Sequence, residues 1–208
     1  MDEIVLRGMA KWPDVPAVYG WLSLDRRGNW LIKGERIANR GVRVFIDRNY
    51  GHDEQGRWFF QNGPQRVFVT LEYAPFVYRV VNPVDSALAI ETHLGGLVTT
   101  VSGAWIDENG VVLLETEHGI GTLHDSDLER LLPSLVDANG HALDEAVLDS
   151  DLERLANGRR AAIWLRFLGR NVAIDPILSD AVAERFGFVP KPAPAPVGNA
   201  PLPSSRGR

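Results

Sequence analysis

The feature that most narrows what this chain can fold into is a phrase used twice. Residues 23–37 read SLDRRGNWLIKGERI and residues 105–121 read WIDENGVVLLETEHGIG. Each sets an aspartate, two polar residues and a glycine ahead of an apolar run. The two aspartates, Asp25 and Asp107, stand 82 positions apart (107 less 25). A glycine in the fourth place supplies the positive φ that a tight hairpin needs, so each phrase predicts a hairpin. A second pair of blocks follows in the same order. GRWFFQNGPQRVFVTLEYAPF (56–76) and GRRAAIWLRFLGRNVAIDPI (158–177) both open on Gly-Arg and turn at a glycine, Gly63 or Gly169. Both close on an acid and a proline, Glu72 and Pro75 or Asp175 and Pro176. Two matched blocks in one order predict an internal duplication.

The elements between the turns follow from their patterns. Branched and aromatic residues over 18–24 predict a strand, with its return at 29–33; 57–61 and 65–72 form a second hairpin about Asn62-Gly63, and 76–81 is a further strand. Residues 40–49 fit either a strand or a helix by periodicity; the helical second copy decides for a helix. In that copy, 104–106 and 111–115 make the hairpin. HDSDLERLLPSL predicts a helix capped by Ser126 and Glu129, with Leu128, Leu131, Leu132 and Leu135 on one face, ended or kinked by Pro133. LDSDLERLA, 148–156, nearly repeats it, with its own box at Ser150 and Glu153 and a stop at Asn157-Gly158. A last helix is expected to start at Asp175-Pro176, end at Gly187 and bury Ile177, Leu178, Ala181, Val182 and Phe186. The expected class is α+β: two duplicated small antiparallel sheets with packed helices. The expected division is a segment 1–17, a first unit 18–82, a second unit 83–189 with extra helices, and a disordered tail 190–208. That tail holds 6 of the 13 prolines and almost no large apolar side chain.

Charge separates the two units. Residues 1–82 carry 12 Lys and Arg against 9 Asp and Glu, and residues 83–189 carry 7 against 18. Halves of unlike sign attract across a shared interface. The first lacks a run of basic residues and intersperses acids, which argues against nucleic acid as partner. There is no Cys, which excludes disulfides and thiolate chemistry. The N-terminus has early acids and no apolar stretch of signal-peptide type, and no run is long enough to span a membrane. The expectation is a cytoplasmic protein with no membrane partner.

Motifs of known chemistry are missing: no G-x-S-x-G elbow, P-loop or G-x-G-x-x-G. His118, His124, Asp125 and Asp127 form the best metal-like group, yet their spacing matches no zinc pattern and the acids suit a helix start. Paired acids at Asp107-Glu108 and Asp144-Glu145 suit turns better than glycoside hydrolysis. No cofactor, metal or catalytic residue is expected. The polar residues that turn chemistry does not demand are Arg36, Arg43, Asn49, Gln61 and Arg66. They are the expected ligand-binding set, because arginine forks grip phosphate or carboxylate; as ion pairs joining the two halves they would serve structure instead.

The stretch GNWLIKGERIANRGVRVFI, followed by GRWFFQNGPQRVFVTLEYAPFVYRVV, resembles bacterial proteins grouped as domain of unknown function 1285. The matching residues are Gly28, Trp30, Gly34 and Ile37; Gly56, Trp58 and Phe60; and Leu71, Glu72, Ala74, Pro75 and Phe76. The resemblance covers about 20–81 and weakens beyond. It implies a duplicated small domain with a pleckstrin-homology-like C-terminal half, a ligand site between the halves for a nucleotide-like molecule, and a signalling role. Sequence and resemblance together favour a ligand-binding or regulatory module holding a small anionic ligand between its repeats. The alternatives are a protein–protein adaptor without a small ligand, and a metal-assisted hydrolase using His118, His124 and the nearby acids.

Overall fold

The computed structural model of the chain describes residues 1–12, 15–81 and 88–194. Helix α1 (Glu3–Lys11) is followed by strands β1 (Val18–Leu24), β2 (Trp30–Ile32) and β3 (Glu35–Arg36), helix α2 (Arg40–Arg48), then β4 (Tyr50–His52), β5 (Trp58–Asn62) and β6 (Gln65–Leu71). These six strands form one sheet in the order β3-β2-β1-β6-β5-β4. Next come β7 (Phe76–Val81), β8 (Ala89–Thr92), β9 (Val101–Asp107), β10 (Val112–Thr116) and β11 (Gly119–Leu123). A short helical passage holds α3 (Leu128–Leu131) between two 3₁₀ turns. It leads to β12 (Leu135–Val136), α4 (Glu145–Ala156), β13 (Trp164–Phe167), β14 (Arg170–Ile177) and α5 (Val182–Arg185). The second sheet is ordered β12-β13-β14-β9-β10-β11-β7-β8.

Read from its β11 side, the run β11-β10-β9-β14-β13-β12 has the order of β3-β2-β1-β6-β5-β4. Directions agree too. The hub pairs β1·β6 and β9·β14 are parallel, and the flanking pairs are antiparallel. Register agrees as well: Trp30 faces Leu24 and Leu22 faces Ile32, while Val112 faces Ile106 and Ala104 faces Leu114. Four Asp-x-x-Gly turns punctuate the chain, at Asp25, Asp53, Asp107 and Asp137. In each, one carboxylate oxygen accepts the backbone N–H groups two and four residues on, at 2.8–3.1 Å. This is why short polar side chains with a following glycine close these loops. The turn at Gly140, and not the Gly158-Arg159 pair of the matched blocks, occupies the place of Gly56, since α4 is inserted after it.

Several expectations need correction. β7 was expected to close the first unit at residue 82, but it joins the second sheet between β11 and β8. The helix expected from Asp175 is the end of a strand: Asp175 and Pro176 pair with Trp105 and Ile106 across the hub, and only short turns of helix follow Leu178. Pro176 is tolerated where its missing N–H is not required. Ser150 and Glu153 lie mid-helix, because α4 starts at Glu145 with Asp144 as its N-cap. Ser126 caps nothing; its own N–H donates to His124 Nδ1 at 3.1 Å. Residues 195–208 of the expected tail lie outside the described residues. Its beginning is docked: Leu71 N–H donates to Pro190 O at 2.8 Å, and Val189 N–H to Gly56 O at 2.9 Å.

Two apolar layers result. On one face of the second sheet, Ala104, Ile106, Val112, Leu114 and Ile174 pack with Leu131 and Leu155 of the helices and with Leu135 of β12. The other layer joins the sheets: Leu22, Leu24, Trp30, Val69 and Leu71 meet Trp105, Leu113, Ile120 and Ile177. The architecture is mixed α+β. No helix among the described residues is long and apolar enough to cross a membrane.

Candidate functional site

Most of the seam between the sheets is filled by buried apolar side chains. At one margin it opens into a cleft of about 390 Å³. One wall is the β1–β2 turn. Asp25 Oδ1 accepts the N–H groups of Arg27 (2.9 Å) and Asn29 (2.8 Å), and Gly28 takes φ +75°. With its aspartate committed to the backbone, the turn directs Arg26 and Arg27 outward. The facing wall is the β9–β10 turn with Asn109, Gly110, Val111 and Val112, joined by Thr122 and Leu123 of β11 and by Asp125.

The two arginines are held differently. Arg26 stacks its guanidinium 4.5 Å from the centre of the Tyr73 ring, and its Nε lies 3.6 Å from Glu72 Oε1. Arg27 Nη2 donates to Asp125 Oδ2 at 2.9 Å, a pair largely open to solvent. That hydrogen bond and charge hold the Asp125 carboxyl below the usual range. Beneath them the Tyr73 hydroxyl donates to Asp107 Oδ2 at 2.6 Å. Burial and this bond push the Tyr73 phenol far up, so it stays a neutral donor at any ordinary pH. Exposed ion pairs are each worth about 0–1 kcal/mol. The Arg27–Asp125 pair therefore costs little to part, and Glu72, Asp125 and Asn109 present acceptor oxygens along the same cleft.

A family model, DUF2944, described as "Protein of unknown function (DUF2946)", matches residues 1–193. The chain belongs to this family. No curated protein matches it. Among solved structures, it is similar to a DUF1285 family protein from Silicibacter pomeroyi DSS-3, at 14% identity and a TM-score of 0.51, over 79% of this chain and 85% of that one. A DUF1285 family protein from Shewanella baltica OS155 aligns at 19% identity and a TM-score of 0.40, over 54% of this chain and 91% of that one. The first likeness shows a shared fold, as the resemblance over 20–81 implies.

In this family member the five expected ligand residues do not line the seam cleft. Arg36 is exposed on β3, beside Leu31. Arg43 lies on α2 near Asp47, which accepts the Trp30 indole N–H at 2.7 Å; burial raises the Asp47 carboxyl, and the indole bond and Arg43 draw it back. Asn49, Gln61 and Arg66 do come together. Buried Asn49 closes α2, donating to Phe45 O at 2.9 Å and accepting Asp2 N–H at 2.7 Å. Its own carbonyl accepts Gln61 N–H at 2.9 Å. Gln61 pairs across the hairpin with Arg66, whose guanidinium sits 4.5 Å from the Phe59 ring centre. Gln61 donates to Gly63 O at 2.9 Å, and its buried Oε1 has no hydrogen-bond partner among the described residues. Gln61 and Arg66 line a cavity of about 350 Å³ beside α1.

The metal-like group is drawn apart by structural duties. His118 Nε2 lies 2.9 Å from Leu97 O, and His124 Nδ1 accepts Ser126 N–H. Asp125 holds Arg27. Buried Asp127 accepts from Arg79 Nε at 2.6 Å and from Val80 N–H at 3.1 Å. No three metal-ligating side chains cluster among the described residues. Sequence reasoning passed over Arg26 and Arg27 because they sit in a turn. The available signal was that DRRG and DENG hold equivalent turns with opposite charge.

Proposed function

We propose that this family member is a cytoplasmic ligand-binding or regulatory module, built from two copies of one α+β unit, whose small ligand sits in the seam cleft. The ligand carries an anionic group for Arg26 and Arg27 and hydrogen-bond donors for Glu72, Asp125 and Asn109; a nucleotide has that combination. The carrying observation is the pairing of two equivalent turns of opposite charge across one cleft, with the charge of each arginine met by an exposed carboxylate. Duplication is supported by the matching strand order, direction and register of the two six-strand runs. A pleckstrin-homology-like reading of the second half has support only from its succession of antiparallel strands before a short helix. The bundled Asn49, Gln61 and Arg66 give a second candidate place for an anion, favoured by the lack of a carboxylate partner for Arg66 among the described residues.

Thermal denaturation in the presence of nucleotides, sugar phosphates and small carboxylates tests the reading. A compound that binds only the folded chain at a hundred times its Kd adds about 2.7 kcal/mol of stability. Loss of that gain in Arg27→Ala, with an unchanged melting point in its absence, places the ligand at the seam. Loss in Arg66→Ala instead moves it to the α1 cavity. No stabilisation by any compound overturns the reading.

A further inference from the structure

Gly110, Val112 and Leu128 line the seam cleft, and the same three residues line a second cavity of about 350 Å³, so the two adjoin. This second cavity lies between the sheet residues Ile106 and Ile174 and the leucines Leu131 of α3, Leu132 of the 3₁₀ turn after it and Leu152 of α4. Leu128, Leu131 and Leu152 of the two DSDLERL stretches thus help to line a largely aliphatic chamber, with Glu153 also in its lining, beside the charged cleft. Leu128 belongs to both and is 36% exposed, on a helix one turn long.

We infer that the ligand is a single-chain amphiphile, its head in the mouth and its alkyl chain passing Leu128 into the leucine chamber. The inference rests on the seam-cleft reading above and adds the tail. Size and lining support the chain. A cavity of about 150 Å³ admits benzene, so this chamber holds roughly a dozen carbons. Its aliphatic walls give a base or a sugar almost no polar partner, and burying unpaired polar groups is costly. Charge selects the head. Asp25, Glu72 and Asp125 outnumber Arg26 and Arg27 around the mouth, so a bare anion is poorly matched. A head that joins a carboxylate to an adjacent N–H donor places the anion on Arg27 and the donor on Glu72 or the released Asp125. N-acylated amino acids have this chemistry.

The test is titration calorimetry on the full chain with N-acetyl-, N-octanoyl- and N-dodecanoylglycine, each below its micelle concentration. Each added methylene should tighten binding about fourfold until the chamber is full. Leu132→Trp, which fills only the chamber, should abolish the dependence on chain length. Arg27→Ala should weaken every member by a similar factor. Leu152→Phe serves as the second chamber variant should Leu132→Trp lower the melting point. Affinity independent of chain length, or chain-length dependence unchanged by both chamber variants, overturns the amphiphile. If nucleotides or short anions bind through Arg27 and chain length has no effect, the seam-cleft reading survives and the tail does not. If nothing binds, both fall.

Discussion

The turns at Asp25 and Asp107 share one backbone and have opposite fates. In both, the aspartate accepts the N–H groups two and four residues on, and the glycines adopt φ +75° and +77°. Yet Asp25 stands at the cleft margin, while Asp107 is fully buried and also takes the Tyr73 hydroxyl. Gly28 is pressed against His93, where an added Cβ would stand 2.8 Å from the His93 Cβ; at Gly110 an added Cβ meets nothing within 4 Å. Local hydrogen bonding thus makes the loop. What the loop faces decides whether it carries the fold or carries the ligand.

The largest expected effect is at the buried aspartate. Asp107→Ala removes a fully buried carboxylate and leaves the Tyr73 hydroxyl and two part-buried backbone N–H groups without their acceptor, and should cost about 3–5 kcal/mol in urea unfolding. Asp25→Ala should cost only about 1 kcal/mol, since water reaches its partners. Equal costs would erase the distinction. Next is the glycine pair. Both alanine variants bear about 1–2 kcal/mol of left-handed strain. Gly28→Ala adds the clash with His93, about 1–3 kcal/mol more, so its melting point should fall clearly below that of Gly110→Ala.

His93 sharpens the comparison by pH. Its Nδ1 accepts Val77 N–H at 3.2 Å, its buried Nε2 has no hydrogen-bond partner among the described residues, and the ring is packed among those of Trp30, Tyr50 and Phe76. Burial holds this imidazole down at about 3. The unfolded chain, with the usual value near 6.5, binds the proton first as pH falls. Stability is therefore full above about 6.5 and drains as pH drops towards 3, by about 2 kcal/mol between pH 7 and 5. His124, lowered mainly by burial and by Arg79, adds in the same direction. His93→Asn, which keeps an acceptor for Val77 and does not titrate, should flatten most of that slope; an unaltered slope would assign it elsewhere. The smallest effect is at the mouth. Arg27→Ala breaks an exposed pair and should shift unfolding by under about 0.5 kcal/mol.

Legibility in the sequence followed the turns. β1 and β7 begin and end where their residues predict, α2 occupies nearly its predicted span, and the β5–β6 hairpin forms with its turn at Gly63-Pro64, one residue beyond the expected Asn62-Gly63, because Asn62 pairs with Gln65. Each of these is set by neighbours in the chain. The failures are tertiary. Asp175-Pro176 has the composition of a helix start, but the hub strand must run long enough to pair with β9, and that pairing overrides the local signal. β7 carries no mark of which sheet it will join, because an apolar strand fits either. The candidate site was hidden for a similar reason: Arg26 and Arg27 gain meaning only from Asn109, Glu72 and Asp125, which the fold brings from elsewhere.

The hub pairs also set a timetable for synthesis. In each unit the first strand lies against the last, so a nascent chain emerging from the ribosome has no partner for β1 on its inner side until Gln65–Leu71 has appeared. The second sheet waits from Val101 for Arg170–Ile177. Until then two half-sheets present raw edges, and residues 189–190, bonded to Gly56 and Leu71, help to tie a late-made segment back onto the first sheet.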